Sequence, residues 1–376
     1  MAAASSPPSI PIPTQMKAIQ VVAFNEPYQI NTIPVPTIGP HDLLVKVAVA
    51  GYCHTDAMVA AGIFPNLPPM TASHEGAGTV AAVGAQVTDF RPGDRVMCGI
   101  QLGPCNACAD CAGSAHPQYC DRFAGHVGII GAHGCFADFV RVDSRSSTKL
   151  PPQVGFLAAA PLACAGRTVW RAILQAGVVA GEWLVIFGSG GGLGHLGIQF
   201  ARAKGIKIVG VDARDAGLAV SRESGADVVV DARLGKEAVV AAVQEATGGL
   251  GAHAAVVVSD APDAAGWAAA ATRMHGTLVQ IAQPQTVVIP FRELIFRDIR
   301  VRGSLGCSPA ESAEMVRFIA EHNGGGGKGG AIRVETVRFE GLERIGELME
   351  LVESGGLRGK AVVVVDPVQV EADGGR

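Results

Sequence analysis

The sequence predicts an α/β protein of two domains: a β-rich, barrel-like domain and a doubly wound parallel sheet. Three observations carry this. The chain has 376 residues, too long for one compact core. Up to about residue 150, short apolar runs are punctuated by Gly, Pro and Asp turns. From Leu157 onward, strand-like runs alternate with helix-like runs, which is the pattern of a parallel sheet with crossover helices.

The first residues, Met1-Ala-Ala-Ala-Ser-Ser-Pro-Pro, carry no basic segment followed by an apolar one, so they do not read as a secretory signal. Residues 1–16 are expected to be a disordered extension. Residues 17–30 alternate apolar and polar in strand fashion. Asp42-Leu-Leu-Val-Lys-Val-Ala-Val-Ala-Gly51 is a strong strand signal, and Gly76–Gly84 and Phe90–Met97 continue the β-rich text. Ala-rich helical text runs through Cys164 to Ala176. Strands follow at Glu182–Phe187, Ile206–Asp212, Asp227–Val230, Ala254–Val258 and Thr277–Ile281. Helices are expected at Leu193–Lys204, near 214–224, at 235–246 and at 263–273. After about residue 309 the chain rejoins the first domain, ending in the strand Lys360–Asp366. The run Gly324–Gly330 reads as a flexible loop.

Composition narrows the function. Hydrophobic residues make up 48% and charged ones 17%, which implies a large buried core. A net charge of -4, without a basic stripe, argues against nucleic acid and membrane surfaces as partners. No apolar run is long enough to span a bilayer. Nine cysteines without a secretion signal point to the cytoplasm, with thiols used for metal or chemistry.

The turn Gly188-Ser-Gly-Gly-Gly-Leu-Gly194 lies between a strand and a helix. Free N–H groups at a helix start, with glycines that admit close approach, suit a pyrophosphate. Gly188, Gly191 and Gly194 give G-x-x-G-x-x-G, one residue longer than the usual fingerprint, with Gly192 and Leu193 inside it. Asp212 follows Gly188 by 24 residues, at the end of the next strand, where a carboxylate accepts from ribose hydroxyls. NAD is therefore favoured over NADP, although Arg214 could soften the preference.

Cys105, Cys108, Cys111 and Cys120 supply four thiolates within one loop, the set for a closed structural zinc. A redox Cys-x-x-Cys is the rival reading, and Cys98 is near enough to be a rival ligand. Cys53, His74 and Cys164 form a second set of two thiolates and one imidazole. Three protein ligands leave one position open, as catalytic zinc requires. Asp56 and Glu75 are acids placed to support or join that site.

In these motifs (Cys53-His-Thr-Asp56, His74-Glu-Gly-Ala-Gly78, the four-cysteine lobe, Pro161-Leu-Ala-Cys-Ala-Gly166 and Gly191-Gly-Leu-Gly-His195) the chain resembles the zinc-dependent alcohol dehydrogenases of the medium-chain dehydrogenase/reductase superfamily. The likeness covers roughly residues 17–366. It implies a GroES-like catalytic domain at 17–165 and 310–376, with a structural zinc lobe at about 98–122. A Rossmann NAD-binding domain is implied at 166–309. By resemblance, Cys53, His74 and Cys164, with Glu75 beside them, match the catalytic zinc ligands. Cys105, Cys108, Cys111 and Cys120 match the structural ones, giving two zinc ions per chain. Thr55 matches the hydroxyl that touches the substrate oxygen. His54 and Lys360 match positions on the cofactor pyrophosphate, with Lys360 standing where Arg is usual. Thr168 and Leu193 match residues beside the nicotinamide. A homo-oligomer, dimer or tetramer, is also implied.

Three departures stand out. The gap before Cys120 is eight residues, where seven is common in the family. Met58 replaces a proton-relay His. Ala60 and Ala61 stand where bulky side chains are common, so a substrate larger than ethanol is expected. The function this implies is NAD(H)-dependent interconversion of an alcohol and its aldehyde or ketone. Met58 keeps open a reductase of an activated C=C or C=N bond. A non-catalytic NAD(H)-binding protein is the third reading, disfavoured by the complete ligand set.

Overall fold

The computed structural model describes residues 10–112, 116–325 and 330–375. It divides into two compact units. The second comprises Ala165–Cys307 and Glu321–Glu335, and the first is the remainder.

The first unit is organised on the strand Asp42–Tyr52, whose eleven residues are nearly all buried. Val, Leu and Ala on both faces of one strand require cover on both sides. It pairs antiparallel with Glu75–Val83, Lys360–Val364 and Phe139–Asp143. Register shifts at Leu44/Val45 and Val47/Val49 bend it enough to serve several neighbours. The sheet continues through Arg95–Met97 to Thr148–Lys149 on one side and to Thr336–Glu340 on the other. A smaller sheet has the order Gln29–Pro34, Gln15–Val21, Met70–Thr71. Ile19, Val45, Val47, Val80, Phe136 and Val363 fill the interior.

Two expectations change here. The stretch 17–30 is not one strand: Gln15–Val21 turns back through Asn25, at φ 60°, to pair with Gln29–Pro34. The expected disorder through residue 16 also fails over its described part. Ile10 packs against a cluster containing Met16, Ala18, Leu44 and Phe139. Residues 1–9 lie outside the described residues.

The second unit is a six-stranded, wholly parallel sheet. Its order is Val228–Asp231, Lys207–Asp212, Trp183–Phe187, Ala252–Val257, Thr272–Gln280, Arg300–Gly303. The order reverses between Trp183–Phe187 and Ala252–Val257, so the crevice for a ligand lies at the carboxyl ends of these strands. Helices Gly194–Ala203, Asp215–Glu223, Lys236–Ala246 and Ala264–Ala271 connect them. Val185, Val209, Val257 and Leu278 form the core beneath.

The helix expected over 263–273 ends at Ala271. The Thr272 hydroxyl donates to the Ala268 carbonyl at 2.7 Å, and the strand begins at that residue. The assignment of all of 310–376 to the first domain also needs correction. Glu321–Glu335 belongs to the second unit, because Gln199 exchanges two hydrogen bonds of 2.8 Å with the Arg333 backbone and the Glu335 N–H donates to His195 Nε2. Of the glycine run Gly324–Gly330, residues 326–329 lie outside the described residues. Among the described residues no helix is long and apolar enough to cross a membrane.

Candidate active site and metal centres

Among the described residues, two groups of side chains that could hold a metal ion form, both within the first unit. In the surface lobe, the ligand atoms of Cys105, Cys108, Cys111 and Cys120 lie within 4.8 Å of one another. Tetrahedral thiolate ligation of one zinc separates sulfurs by roughly 3.8 Å, so the group is sized for a single ion. The backbone prepares it. Asn106 adopts φ 53°, which turns the chain so that Ala107 and Cys108 both donate N–H groups to Cys105 Sγ, at 3.4 and 3.3 Å. The Cys105 N–H donates to Cys120 Sγ at 3.4 Å. The Ala107 N–H foremost, then that of Cys108, pulls the Cys105 thiol down to about 6, so it offers a thiolate at neutral pH. The one-residue longer gap to Cys120 does not separate that ligand from the other three. Cys98 stays out of this group. It lies beside Cys135, where a side chain on Gly76 would strike both sulfurs.

The second group gathers Cys53, His74, Glu75 and Cys164, whose ligand atoms again lie within 4.8 Å of one another. Three different elements deliver these residues. Cys53 caps the helix His54–Ala60, and His74 and Glu75 enter the strand Glu75–Val83. Cys164 sits in a five-residue π turn, Leu162–Gly166, between the helices Phe156–Pro161 and Arg167–Ala176. A wider turn of this kind changes the direction in which a helical side chain points.

Asp56 ties the group together. It is fully buried, and as the third residue of its helix it reaches back to accept the Cys53 N–H at 2.9 Å. Its other oxygen takes the Ser73 N–H and contacts His74 Nδ1, each at 3.2 Å. With Nδ1 so held, His74 Nε2 is left buried and without a hydrogen-bond partner. Burial opposes a charge on the ring, yet Asp56 outweighs it and holds His74 well above the usual imidazole range. A cation at Nε2 answers the same electrostatic demand as a proton. The Cys164 thiol, more than any other neighbour, draws the Cys53 thiol well below its usual range, against burial. An unpartnered imidazole nitrogen beside a thiolate and a second sulfur is the donor set that zinc accepts.

Ser73 is a member of this machinery that the sequence reading missed. It holds φ 71°, a strained conformation for a residue with a side chain, and its hydroxyl donates to the Gly51 carbonyl at 2.8 Å. No sequence pattern marks a serine for this backbone geometry.

Glu75 and Lys360 form a buried ion pair at 2.7 Å, 4% and 0% exposed for lysine and glutamate respectively. Burial pushes the Glu75 carboxyl up to about 8, against the pull of Lys360. Burial also works against the Lys360 charge, but Glu75, Cys53 and Cys164 outweigh it and raise its pKa. Glu75 Oε1 takes the lysine, while Oε2 is buried without a partner within the cysteine–histidine group. Gly51 makes room for it, since a Cβ there would lie 2.2 Å from Oε2. Lys360, expected on the cofactor pyrophosphate by family likeness, directs its ammonium to Glu75.

The remaining predicted residues fall as follows. Thr55 is half-buried, with its hydroxyl 3.9 Å from Cys53 Sγ. His54 is exposed at the start of the same helix, Ala60 is half-buried, and Ala61 is exposed at its end. In the second unit, Thr168 is half-buried on Arg167–Ala176. Gly188, Gly191, Gly192, Leu193 and Gly194 form the turn and first residue of the helix Gly194–Ala203, as expected. Asp212 ends its strand with its carboxylate against this turn, where it accepts the Gly190 N–H at 3.0 Å.

Known proteins match this chain over most of its length. Residues 39–152 match the alcohol dehydrogenase GroES-like domain, and residues 192–321 match the zinc-binding dehydrogenase domain. An alcohol dehydrogenase of Geobacillus stearothermophilus is 32% identical, covering 93% of this chain and 100% of its own length. Alcohol dehydrogenase 1 of Emericella nidulans is 34% identical, over 94% and 98% of the two chains. The crystal structure of the alcohol dehydrogenase from Aeropyrum pernix superimposes with a TM-score of 0.82 at 27% identity, covering 93% of this chain and 99% of that one. A cinnamyl alcohol dehydrogenase structure from Sorghum bicolor superimposes with a TM-score of 0.81 at 25% identity, over 93% of this chain and 97% of its own. With its fold, its two cysteine groups and these relatives in agreement, the chain belongs to the zinc-binding alcohol dehydrogenase family of medium-chain dehydrogenases/reductases.

Proposed function

We propose that this oxidoreductase uses zinc and NAD(H) to interconvert a primary or secondary alcohol and its aldehyde or ketone, on substrates bulkier than ethanol. The observation that carries this is the buried group of Cys53, His74 and Cys164, with His74 Nε2 unpartnered. Zinc held there supplies Lewis acidity toward the substrate oxygen, and nicotinamide supplies hydride exchange. The chain's residues do the rest. Asp56 fixes the His74 tautomer and the Cys53 backbone. Thr55, 3.9 Å from Cys53 Sγ, is the hydroxyl placed to take the substrate proton. Lys360 anchors one oxygen of Glu75 and leaves the other as a further donor to the metal group.

The glycine turn 188–194, with the helix start behind it, receives the cofactor pyrophosphate, and the strand end at Asp212 lies toward the adenosine ribose. His54, Thr168 and Leu193 complete the cofactor set by family likeness. Cys105, Cys108, Cys111 and Cys120 hold a second, structural zinc that takes no part in the chemistry.

Small side chains at Ala60 and Ala61 support the bulky substrate, and so does the likeness to a cinnamyl alcohol dehydrogenase. The protein acts in the cytoplasm, where its thiols stay reduced. A second copy docks on the outer strand Arg300–Gly303, all of whose residues are exposed, beside exposed Phe291, Ile295 and Phe296. An uncovered edge strand next to an apolar patch is otherwise an aggregation site. Light scattering then reads an oligomer that Val301→Asp dissociates.

The deciding experiment is a panel of alcohols, aldehydes and enals with NAD(H), alongside metal quantification. Two zinc ions per chain and faster turnover of benzylic or cinnamyl alcohol than of ethanol are expected. Preference for ethanol sinks the substrate assignment. Reduction of enals at the C=C bond alone, with alcohols inert, replaces the reaction assignment.

A further inference from the structure

The residue facing the adenosine ribose is conventionally an acid whose negative charge excludes a 2′-phosphate. In this protein that acid is engaged elsewhere. Asp212 is 5% exposed, and each of its oxygens accepts a backbone N–H at 3.0 Å, Oδ2 from Gly190 and Oδ1 from Arg214. The start of the helix Asp215–Glu223 packs directly on the carboxylate, since a Cβ on Gly217 would lie 2.3 Å from Oδ1. Gly217 packs equally tightly on the turn, where a Cβ on Gly190 would lie 1.9 Å from the Gly217 carbonyl oxygen. Asp212 is thus a strut that joins the glycine turn to the next helix.

Arg214 changes the charge that a nucleotide meets. Its Nε lies 3.4 Å from Asp212 Oδ1, and its side chain remains 46% exposed. Nη2 extends to 4.0 Å from the point where a side chain on Gly191 would begin. The guanidinium therefore covers the carboxylate and lies along the same rim as the glycine turn. Neighbouring Arg233 is occupied differently, clamped by Asp231 and Asp215. A planar guanidinium with exposed N–H groups is the side chain best matched to a phosphate.

Resting on the dinucleotide site assigned above, we propose that Arg214 is a specificity-determining residue that receives a 2′-phosphate, so that this enzyme accepts NADP(H) as well as NAD(H). The acid at the strand end does not exclude the phosphate, because its charge is met by two N–H groups and a guanidinium.

Calorimetric titration of the zinc-loaded enzyme with 5′-AMP and with adenosine 2′,5′-bisphosphate tests this without any turnover. The bisphosphate is expected to bind at least as tightly as 5′-AMP. Arg214→Ala is expected to weaken the bisphosphate by about tenfold or more while moving 5′-AMP by less than about threefold, and Arg214→Lys to restore part of the loss. Bisphosphate binding tenfold weaker than 5′-AMP in the unaltered enzyme overturns the proposal. Equal weakening of both nucleotides by Arg214→Ala also overturns it, since the arginine then acts on the adenine or the 5′-phosphate. Binding of 5′-AMP alone leaves the dinucleotide site standing, whereas binding of neither nucleotide fails the site and the proposal together.

Discussion

The two cysteine groups of the first unit hold metal-ligand atoms at similar spacing, yet they are built in opposite ways. The lobe takes all four ligands from one loop of sixteen residues, Cys105 to Cys120, and orders them with N–H groups from that same loop. Three of its four cysteines are half-exposed. The buried group takes its ligands from distant elements and is held by charged side chains, Asp56 and Lys360, that themselves have almost no contact with solvent. A local, backbone-ordered cage tolerates water and has every position filled. A buried, charge-supported group can leave one metal position for substrate, and it depends on the whole barrel to exist. Under the proposed function, position of ligands in sequence separates a staple from a reaction centre.

The contrast is broken most forcefully at Cys53. Cys53→Ser should lower turnover by at least about a thousandfold, through loss of Lewis acidity worth several kcal/mol, and should reduce the metal content from two ions to one. Retained turnover with one ion lost would reverse the roles of the two groups. Next, Lys360→Met leaves Glu75 buried beside the group without its cation. Removal of one partner of a buried pair costs about 3–5 kcal/mol, to be read from chemical denaturation, and Lys360→Arg should recover most of it. Asp56→Asn should weaken metal at the buried group alone by about 10–100-fold, measured by competition with a chelator, because the His74 ring loses its charged support and an amide has one acceptor oxygen for the Cys53 and Ser73 N–H groups that two carboxylate oxygens take. The smallest effect on rate is expected at the lobe. Cys105→Ser should remove its ion and lower the unfolding midpoint, with turnover per folded molecule changed by less than about twofold.

The same contrast explains what could be read in the sequence. The lobe was fully legible, because its spacing is its geometry. Cys53, His74 and Cys164 were legible as residue types with an acid close by, and the structure brings them together. The Glu75–Lys360 pair was not, since 285 residues separate its members and a lysine in a final strand looks like any other. Ser73 was hidden because its backbone conformation is imposed by Asp56 and Gly51. In the second unit, alternating strands and helices gave the sheet, with boundaries displaced where side chains intervene, as at Thr272. The return of Glu321–Glu335 to that unit depends on Gln199 and His195 clasping a segment more than a hundred residues away. Asp212 was located correctly by spacing, but its enclosure by Gly217 was visible only in three dimensions.

The π turn at Leu162–Gly166 gives the buried group an unusual vulnerability, one of residue number rather than residue type. Each residue of an α-helix advances the chain by about 100°. Deletion of Ala163 would keep every ligand, every supporting charge and the overall composition. It would nonetheless swing Cys164 by about 100° relative to the helix Phe156–Pro161 and take its sulfur away from Cys53 and His74. Chains of this family could lose or regain a reactive metal through a one-codon change in length, with each residue that binds it still present.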